Sequence, residues 1–151
     1  MDVKIRIMKE KDLDRIMEVE KNCFTTPWSR ESFLLEITKN QLARYFVAEI
    51  DGIVAGYGGI WLILDEGHIT NIAVDDKYRR LGLGKKLLEE LILLCEKHEL
   101  RAMTLEVRED NEAAKELYRS YGFIENGRRP NYYQDVGKDA ILMWKNLESR
   151  E

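Results

Sequence analysis

Glu106 and Tyr118 are the side chains best placed to move a proton in this sequence. A carboxylate accepts a proton from an attacking nucleophile, and a phenol gives one to a leaving group or steadies it by hydrogen bonding. In the run AMTLEV (102–107), alternation sets Glu106 on one face with Ala102 and Thr104, opposite Met103, Leu105 and Val107. A carboxylate near the C-terminal end of a central parallel strand lies where open α/β sheets place their sites. Read alone, Glu106 also fits a rim carboxylate paired with Arg108 or another cation, and Tyr118 a helix tyrosine packed on the sheet with its hydroxyl in water.

A second chemical feature precedes them. The stretch DDKYRRLGLGKKLLEE (75–90) sets Gly82 and Gly84 among Arg79, Arg80, Lys85 and Lys86, with an apolar helical pattern following at once. Glycines let backbone approach a ligand closely, and a helix N-terminus offers unpaired N–H groups to an anion. A Walker loop is excluded, because Arg79 stands where it needs glycine and Lys86 where it needs Ser or Thr. A dinucleotide fingerprint is excluded by Leu87. What remains is a phosphate or pyrophosphate site of another kind, or an ordinary strand-to-helix turn with a solvated basic face.

The elements that must position these groups are legible from periodicity. VKIRIM (3–8) alternates as a strand, and a helix follows from about Glu10 to Cys23. Ser29 predicts an N-cap for a helix near 30–39. Two strand-like runs flank Asp51-Gly52, a hairpin signal, and HITNIAV (68–74) completes an antiparallel front half. Then come the glycine loop, a helix over about 84–98, a strand over 102–107 and a helix over about 111–121 ended by Gly122. Asn111 is a natural N-cap for that last helix. Strand–helix–strand order makes 68–74 and 102–107 parallel neighbours. Two further strands, 123–129 and 139–147, are expected around PNYYQDVGK. The fold class is a single α/β domain spanning 1–151, with a mixed sheet covered by helices on both faces.

Composition narrows the function classes. The 151 residues are 44% hydrophobic and 34% charged, with a net charge of −4, which argues against a nucleic-acid binder relying on overall positive charge. There is no apolar run near the ~18 residues of a membrane span and no signal-like N-terminus, so a cytoplasmic location and no membrane partner are expected. Cys23 and Cys95 fall at helical spacing with apolar residues and read as reduced core thiols. His68 and His98 show no ligand spacing, so no metal is expected.

Taken in order, RRLGLG (79–84), NIAV before it, LEVREDNEAAKELYRSYGF after it and RRPNYYQD near the end resemble the GCN5-related N-acetyltransferase (GNAT) superfamily over almost the whole chain. The combination is most similar to the RimI-like ribosomal-protein-alanine N-acetyltransferases. The resemblance implies acetyl-coenzyme A as co-substrate, its pyrophosphate on backbone N–H groups of Arg80, Leu81, Gly82, Leu83, Gly84 and Lys85, with Arg79 at the rim. It implies that the two parallel strands splay, and that the pantetheine arm bonds Ile72, Ala73 and Val74 as an added strand would. It gives Glu106 the role of proton acceptor, Tyr118 that of proton donor and Asn111 a contact near the coenzyme's reactive end. Asp110 departs from the small residue more usual at that position and adds negative charge beside the channel.

The implied acceptor is a protein N-terminus, the alanine of a small-subunit ribosomal protein, bound between FTTPWS (24–29) and RRPNYYQD (128–135). Phe24, Trp28, Tyr132 and Tyr133 would wall a narrow slot, though the aromatics also fit a hairpin mini-core, and Trp28 a staple for the second helix. An α-amine titrates near 7.7–8.0 and a lysine amine near 10.4, a difference of about 3.5 kcal/mol in deprotonation. The N-terminal amine is the easier substrate. A broader N-terminal or lysine acetyltransferase and a non-catalytic coenzyme-A sensor are the alternatives, and the protein is expected to be a monomer or weak dimer.

Overall fold

Alternating apolar side chains produce the antiparallel front half, as seen in a computed structural model that describes residues 2–148. Strands β1 (Val3–Ile7), β2 (Ala43–Ile50), β3 (Ile53–Ile63) and β4 (Glu66–Val74) pair in succession. Asp51 and Gly52 close the β2–β3 hairpin, both at positive φ, as the two-residue turn requires. Between β1 and β2 lie helices α1 (Leu13–Cys23) and α2 (Arg30–Thr38). Ser29 caps α2 by accepting the Ser32 N–H at 3.1 Å.

The back half follows the expected crossover: α3 (Leu83–Lys97), β5 (Ala102–Arg108), α4 (Glu112–Ser120), β6 (Ile124–Tyr133) and β7 (Lys138–Asn146). The sheet runs β1-β2-β3-β4-β5-β7-β6, with β4–β5 its parallel contact. One boundary differs from expectation. Pro130 to Tyr133 belong to β6 rather than to a connection. An edge strand tolerates proline, and the β6–β7 register slips on both sides of Arg128 and Arg129 to accommodate it.

Period-two burial in β2 builds a core on each face. Phe46, Ala48 and Ile50 meet Leu87, Leu88, Leu91 and Cys95 of α3 and Tyr118 of α4. Tyr45 and Val47 meet Leu13, Ile16 and Val19 of α1 and Phe33 of α2. Cys95 is a core thiol as expected, whereas Cys23 is only half-buried at the end of α1. Among the described residues no helix is long and apolar enough to cross a membrane.

The site depends on a local irregularity in β4. Opposite β3, Gly59 pairs with Asn71 and Ile60 with Ile69, so Thr70 has no partner and bulges. A bulge bends its strand and resets which face each side chain takes. Ile69 belongs to the α3-side core, whereas beyond the bulge Ala73 belongs to the α1/α2 side and Ile72 and Val74 pack toward α3. Pairing between β4 and β5 covers only Glu66, Gly67 and His68 against Ala102, Met103 and Thr104. The two parallel strands therefore part at the bulge.

Asp75 anchors the far end of β4. Its N–H donates to Ala55 O at 2.8 Å, and its carboxylate accepts Lys77 N–H at 3.1 Å and Arg15 Nη2 at 2.6 Å. Burial opposes its ionisation, but these donors win and hold its pKa below the usual carboxylate value. Asp75→Ala should cost about 2–3 kcal/mol in urea denaturation, below the roughly 3–5 kcal/mol of a fully buried pair because Arg15 is 27% exposed. With a depressed folded pKa, this contribution is present above the unfolded value near 3.9 and is lost as pH falls through the folded one. An unchanged midpoint at pH 7 would contradict the anchoring role.

Candidate active site

Where β4 leaves β5, its outer edge carries usable backbone groups. Asp75 N–H bonds to β3, so by the strand's alternation Ala73 also faces β3, while Ile72 and Val74 turn their polar groups away from it. Side chains meet two of these groups: Ile72 N–H donates to Asn71 Oδ1 at 3.0 Å. Val74 C=O accepts Arg79 Nε at 3.1 Å and the Cys23 thiol at 3.3 Å. An extended amide ligand fits this edge as a further strand would.

The glycine loop ends in a bare helix terminus. Arg80 and Gly82 are both left-handed, with φ of 66° and 82°, and Gly82 is the N-cap of α3 with no side-chain cap. The first helical bond of this terminus is Lys86 N–H to Gly82 O at 3.1 Å, so the preceding N–H groups are free for an anion. No acidic residue sits in the first turn. Leu83 is in the core and can serve a ligand only through its backbone, whereas Leu81, Arg80 and Lys85 are exposed. The two glycines are not equivalent. Gly84 has ordinary helical φ, and a Cβ there would meet Leu117 at 3.7 Å.

On β5, Glu106 lies just beyond the last residue paired with β4, half-buried. Its partner is not Arg108, which pairs instead with Asp110 at 2.6 Å. That pair also offsets the extra charge of Asp110. Glu106 Oε1 bonds His68 Nε2 at 2.8 Å, and Arg129 Nε lies 3.5 Å from Oε2. The His68 hydrogen bond, outweighing desolvation and aided by Arg129, holds the Glu106 carboxyl below its ordinary value. An ionised Glu106 is acceptor-only, so a neutral His68 carries its proton on Nε2.

Tyr118 is perturbed the other way. It is buried, edge-on to Phe123 at 5.7 Å, and burial followed by the neighbouring Tyr133 pushes its pKa up. It stays a phenol through neutral pH. Burial, then Tyr132 and Glu106, push the Tyr133 phenol up to about 12. Asn111 is the N-cap of α4, accepting Ala114 N–H at 3.1 Å.

The two proposed acceptor segments meet. Thr26 Oγ1 donates to Asp135 at 2.9 Å, closing the α1–α2 loop against the β6–β7 turn. Tyr132 is 49% exposed and edge-on, at 5.1 Å, to the half-buried Tyr133. Trp28 contacts Phe33 at 5.3 Å, and its backbone N–H donates to Glu20 at 2.9 Å. Phe24 is half-buried at the C-cap of α1.

Sequence reading passed over His68, Asn71, Glu20 and Tyr57. His68 pairs with Thr104, two residues before Glu106, so strand alternation applied across the parallel pair would have put it on the Glu106 face. The buried Glu20 had no local signal, because its partners Tyr57 and Trp28 come from a strand and a loop. Among the described residues no three His, Cys, Asp or Glu side chains converge as a metal site.

Comparisons with known proteins bear on the family and the fold. The model of the Acetyltransferase (GNAT) family matches residues 13–123. A Bacillus subtilis (strain 168) protein, provisionally named a ribosomal protein bS18-alanine N-acetyltransferase, is 43% identical over 143 residues, covering 95% of each chain. The ribosomal protein bS18-alanine N-acetyltransferase of Escherichia coli (strain K12) is 39% identical over 92% of this chain and 94% of its own. The crystal structure of the ribosomal-protein-S18-alanine N-acetyltransferase from Escherichia coli superposes with a TM-score of 0.90 at 35% identity, covering 99% and 97% of the two chains.

The loop geometry gives opposite expectations for its glycines. Gly82→Ala should destabilise by about 1 kcal/mol, since alanine resists positive φ. Gly84→Ala should be neutral or stabilising by up to about 1 kcal/mol, as in a helix interior. Thermal denaturation of the two variants reads the difference, and equal effects would contradict the assigned conformations.

Proposed function

The chain belongs to the acetyltransferase (GNAT) family, and we propose that it transfers acetyl from acetyl-coenzyme A to the N-terminal alanine of a small-subunit ribosomal protein. The observation that carries this is the parting of β4 and β5, which turns Ile72 and Val74 toward a gap ending at Glu106. The names of the relatives from B. subtilis and E. coli support bS18 as the acceptor. Ribosomal proteins place the reaction in the cytoplasm, with the enzyme acting as a monomer or weak dimer.

Acetyl-coenzyme A supplies the activated thioester. Backbone N–H groups from Arg80 to Lys85, with Arg79 beside them, would hold its pyrophosphate, while Ile72, Ala73 and Val74 take its amide arm. Asn111, the cap of α4, would contact the coenzyme near its reactive end, as the family resemblance implies. At pH 7 roughly a tenth of an α-amine is already neutral. Glu106, fully ionised, receives the proton the amine sheds, through water, while His68 fixes the carboxylate's orientation and Arg129 its charge. Tyr118, held neutral by burial, gives its proton to the departing thiolate.

Phe24, Trp28, Tyr132 and Tyr133 frame the slot for the first residue, with the Thr26–Asp135 bond as its bridge. A lysine acceptor carries the extra deprotonation cost of about 3.5 kcal/mol and lacks the backbone to grip.

With peptides of differing first residue and products read by mass, alanine should outrun large residues and internal lysines. Efficient acetylation of internal lysines with no first-residue preference would overturn the acceptor assignment. Glu106→Gln and Tyr118→Phe should each lower kcat by about 10²–10⁴-fold with little change in acetyl-CoA Kd. The Glu106→Gln loss should ease as pH rises past 8, where the amine deprotonates unaided, and the Tyr118→Phe loss should not. Near-normal rates for both would place the proton carriers elsewhere.

A further inference from the structure

A buried relay links the β4 edge to the α1–α2 loop. Glu20 is 2% exposed and Tyr57 is 1% exposed. Glu20 accepts Trp28 N–H at 2.9 Å through one oxygen and the Tyr57 hydroxyl at 2.5 Å through the other. Tyr57 thereby spends its only proton on Glu20 and can serve Asn71 solely as an acceptor, which it does from Nδ2 at 3.1 Å. That fixes the flip of the Asn71 amide, so Oδ1 must face the backbone, where it takes Ile72 N–H. The relay thus runs from Trp28 in the acceptor loop to an edge amide assigned above to the coenzyme.

Two groups compete for that one N–H. A ligand carbonyl arriving at Ile72 displaces Asn71 Oδ1, and the carbonyl freed is polar, half-buried and costly to leave unpaired. Asn71 lines a cavity of about 40 Å³ together with Trp28, Phe33, Tyr45, Tyr57 and Thr70. This cavity reaches from the parted strand to the acceptor loop.

We propose that Asn71 is a switch that caps Ile72 N–H in the free enzyme and, once the coenzyme claims that group, presents its released Oδ1 to an N–H of the acceptor's N-terminal residue. The coenzyme then binds first and creates part of the acceptor's site. While it caps the strand Oδ1 is turned to Ile72 N–H, and its release lets it turn to the acceptor, so acceptor affinity rises when coenzyme is bound. By linkage the acceptor tightens the coenzyme by the same factor. Asn71 is a positioning residue here, and Tyr57 and Glu20 hold its orientation. The inference rests on the acetyl-transfer reading for the identity of the two ligands.

Calorimetry tests it without turnover, using coenzyme A and an unacetylated peptide beginning with alanine. In the unsubstituted protein, coenzyme A should tighten the peptide at least about five-fold. Asn71→Ala removes the competing cap, so it should bind coenzyme A as tightly as the original or a few-fold tighter, while the gain in peptide affinity falls within two-fold of none. Asn71→Asp keeps an oxygen on Ile72 N–H and should weaken coenzyme A, reversing the sign. It carries the comparison should the alanine variant unfold. A residue with only a structural role would weaken coenzyme A in both variants and lower their Tm. Weaker coenzyme binding by Asn71→Ala, unchanged coenzyme binding by Asn71→Asp, or a peptide gain that survives in Asn71→Ala would overturn the proposal. If the unsubstituted protein ignores the alanine peptide while binding coenzyme A, the acceptor reading and the acceptor half of the switch fail together. The signs of the two coenzyme affinities still decide the cap.

Discussion

A sheet that loses a pairing in its middle must find other partners for the freed backbone groups, and the rest of this structure follows from that constraint. Thr70 has no counterpart on β3, and β4 stops pairing with β5 after His68. Buried N–H and C=O groups left unmatched are costly. The chain meets the cost with Asn71, Arg79 and Cys23, each of which lends a side-chain atom to the strand edge. These are replaceable partners. They satisfy the edge without closing it, which a paired strand would do.

The bulge also decides which chemistry gathers on which side. Before it His68 shares a face with Thr104 and Glu106, and at it Thr70 and Asn71 turn in succession toward Tyr45 and Tyr57. The electrostatics divide accordingly. Donors from His68 and Arg129 keep Glu106 ionised, and burial keeps Tyr118 protonated. One group is ionised and the other protonated at the same pH, the two states that the proposed transfer requires. Asp75, pinned by Arg15, holds the end of β4 where the strand gives way to the anion-binding loop.

The order of elements, the hairpin at Asp51-Gly52 and the caps at Ser29 and Asn111 were legible because each is a local pattern. The glycine loop was legible as a turn into a helix N-terminus, but the sequence could not say that Gly82 needs its positive φ while Gly84 does not. The extension of β6 through Pro130 was missed because proline argues against a strand and only the sheet's edge excuses it. Strand alternation set the face that Glu106 takes, whereas its partners, His68 and Arg129, come from other strands than Arg108. Arg108 lies two residues on along the same strand face, but its guanidinium turns to Asp110, and His68 reaches Glu106 from the neighbouring strand. The Glu20–Tyr57–Asn71 relay was invisible because it depends on three elements meeting in space.

The claim on which the account turns is that the parted edge of β4 is where the coenzyme's amide arm binds. Site-resolved amide hydrogen exchange with and without acetyl-coenzyme A measures it directly. Ile72 N–H is bonded only to the Asn71 side chain and should exchange readily in the free protein, becoming at least about ten-fold slower on binding, with Val74 following and Ala73, already directed at β3, changing least. Slowing confined to the loop at 80–85, with Ile72 and Val74 unaffected, would contradict it.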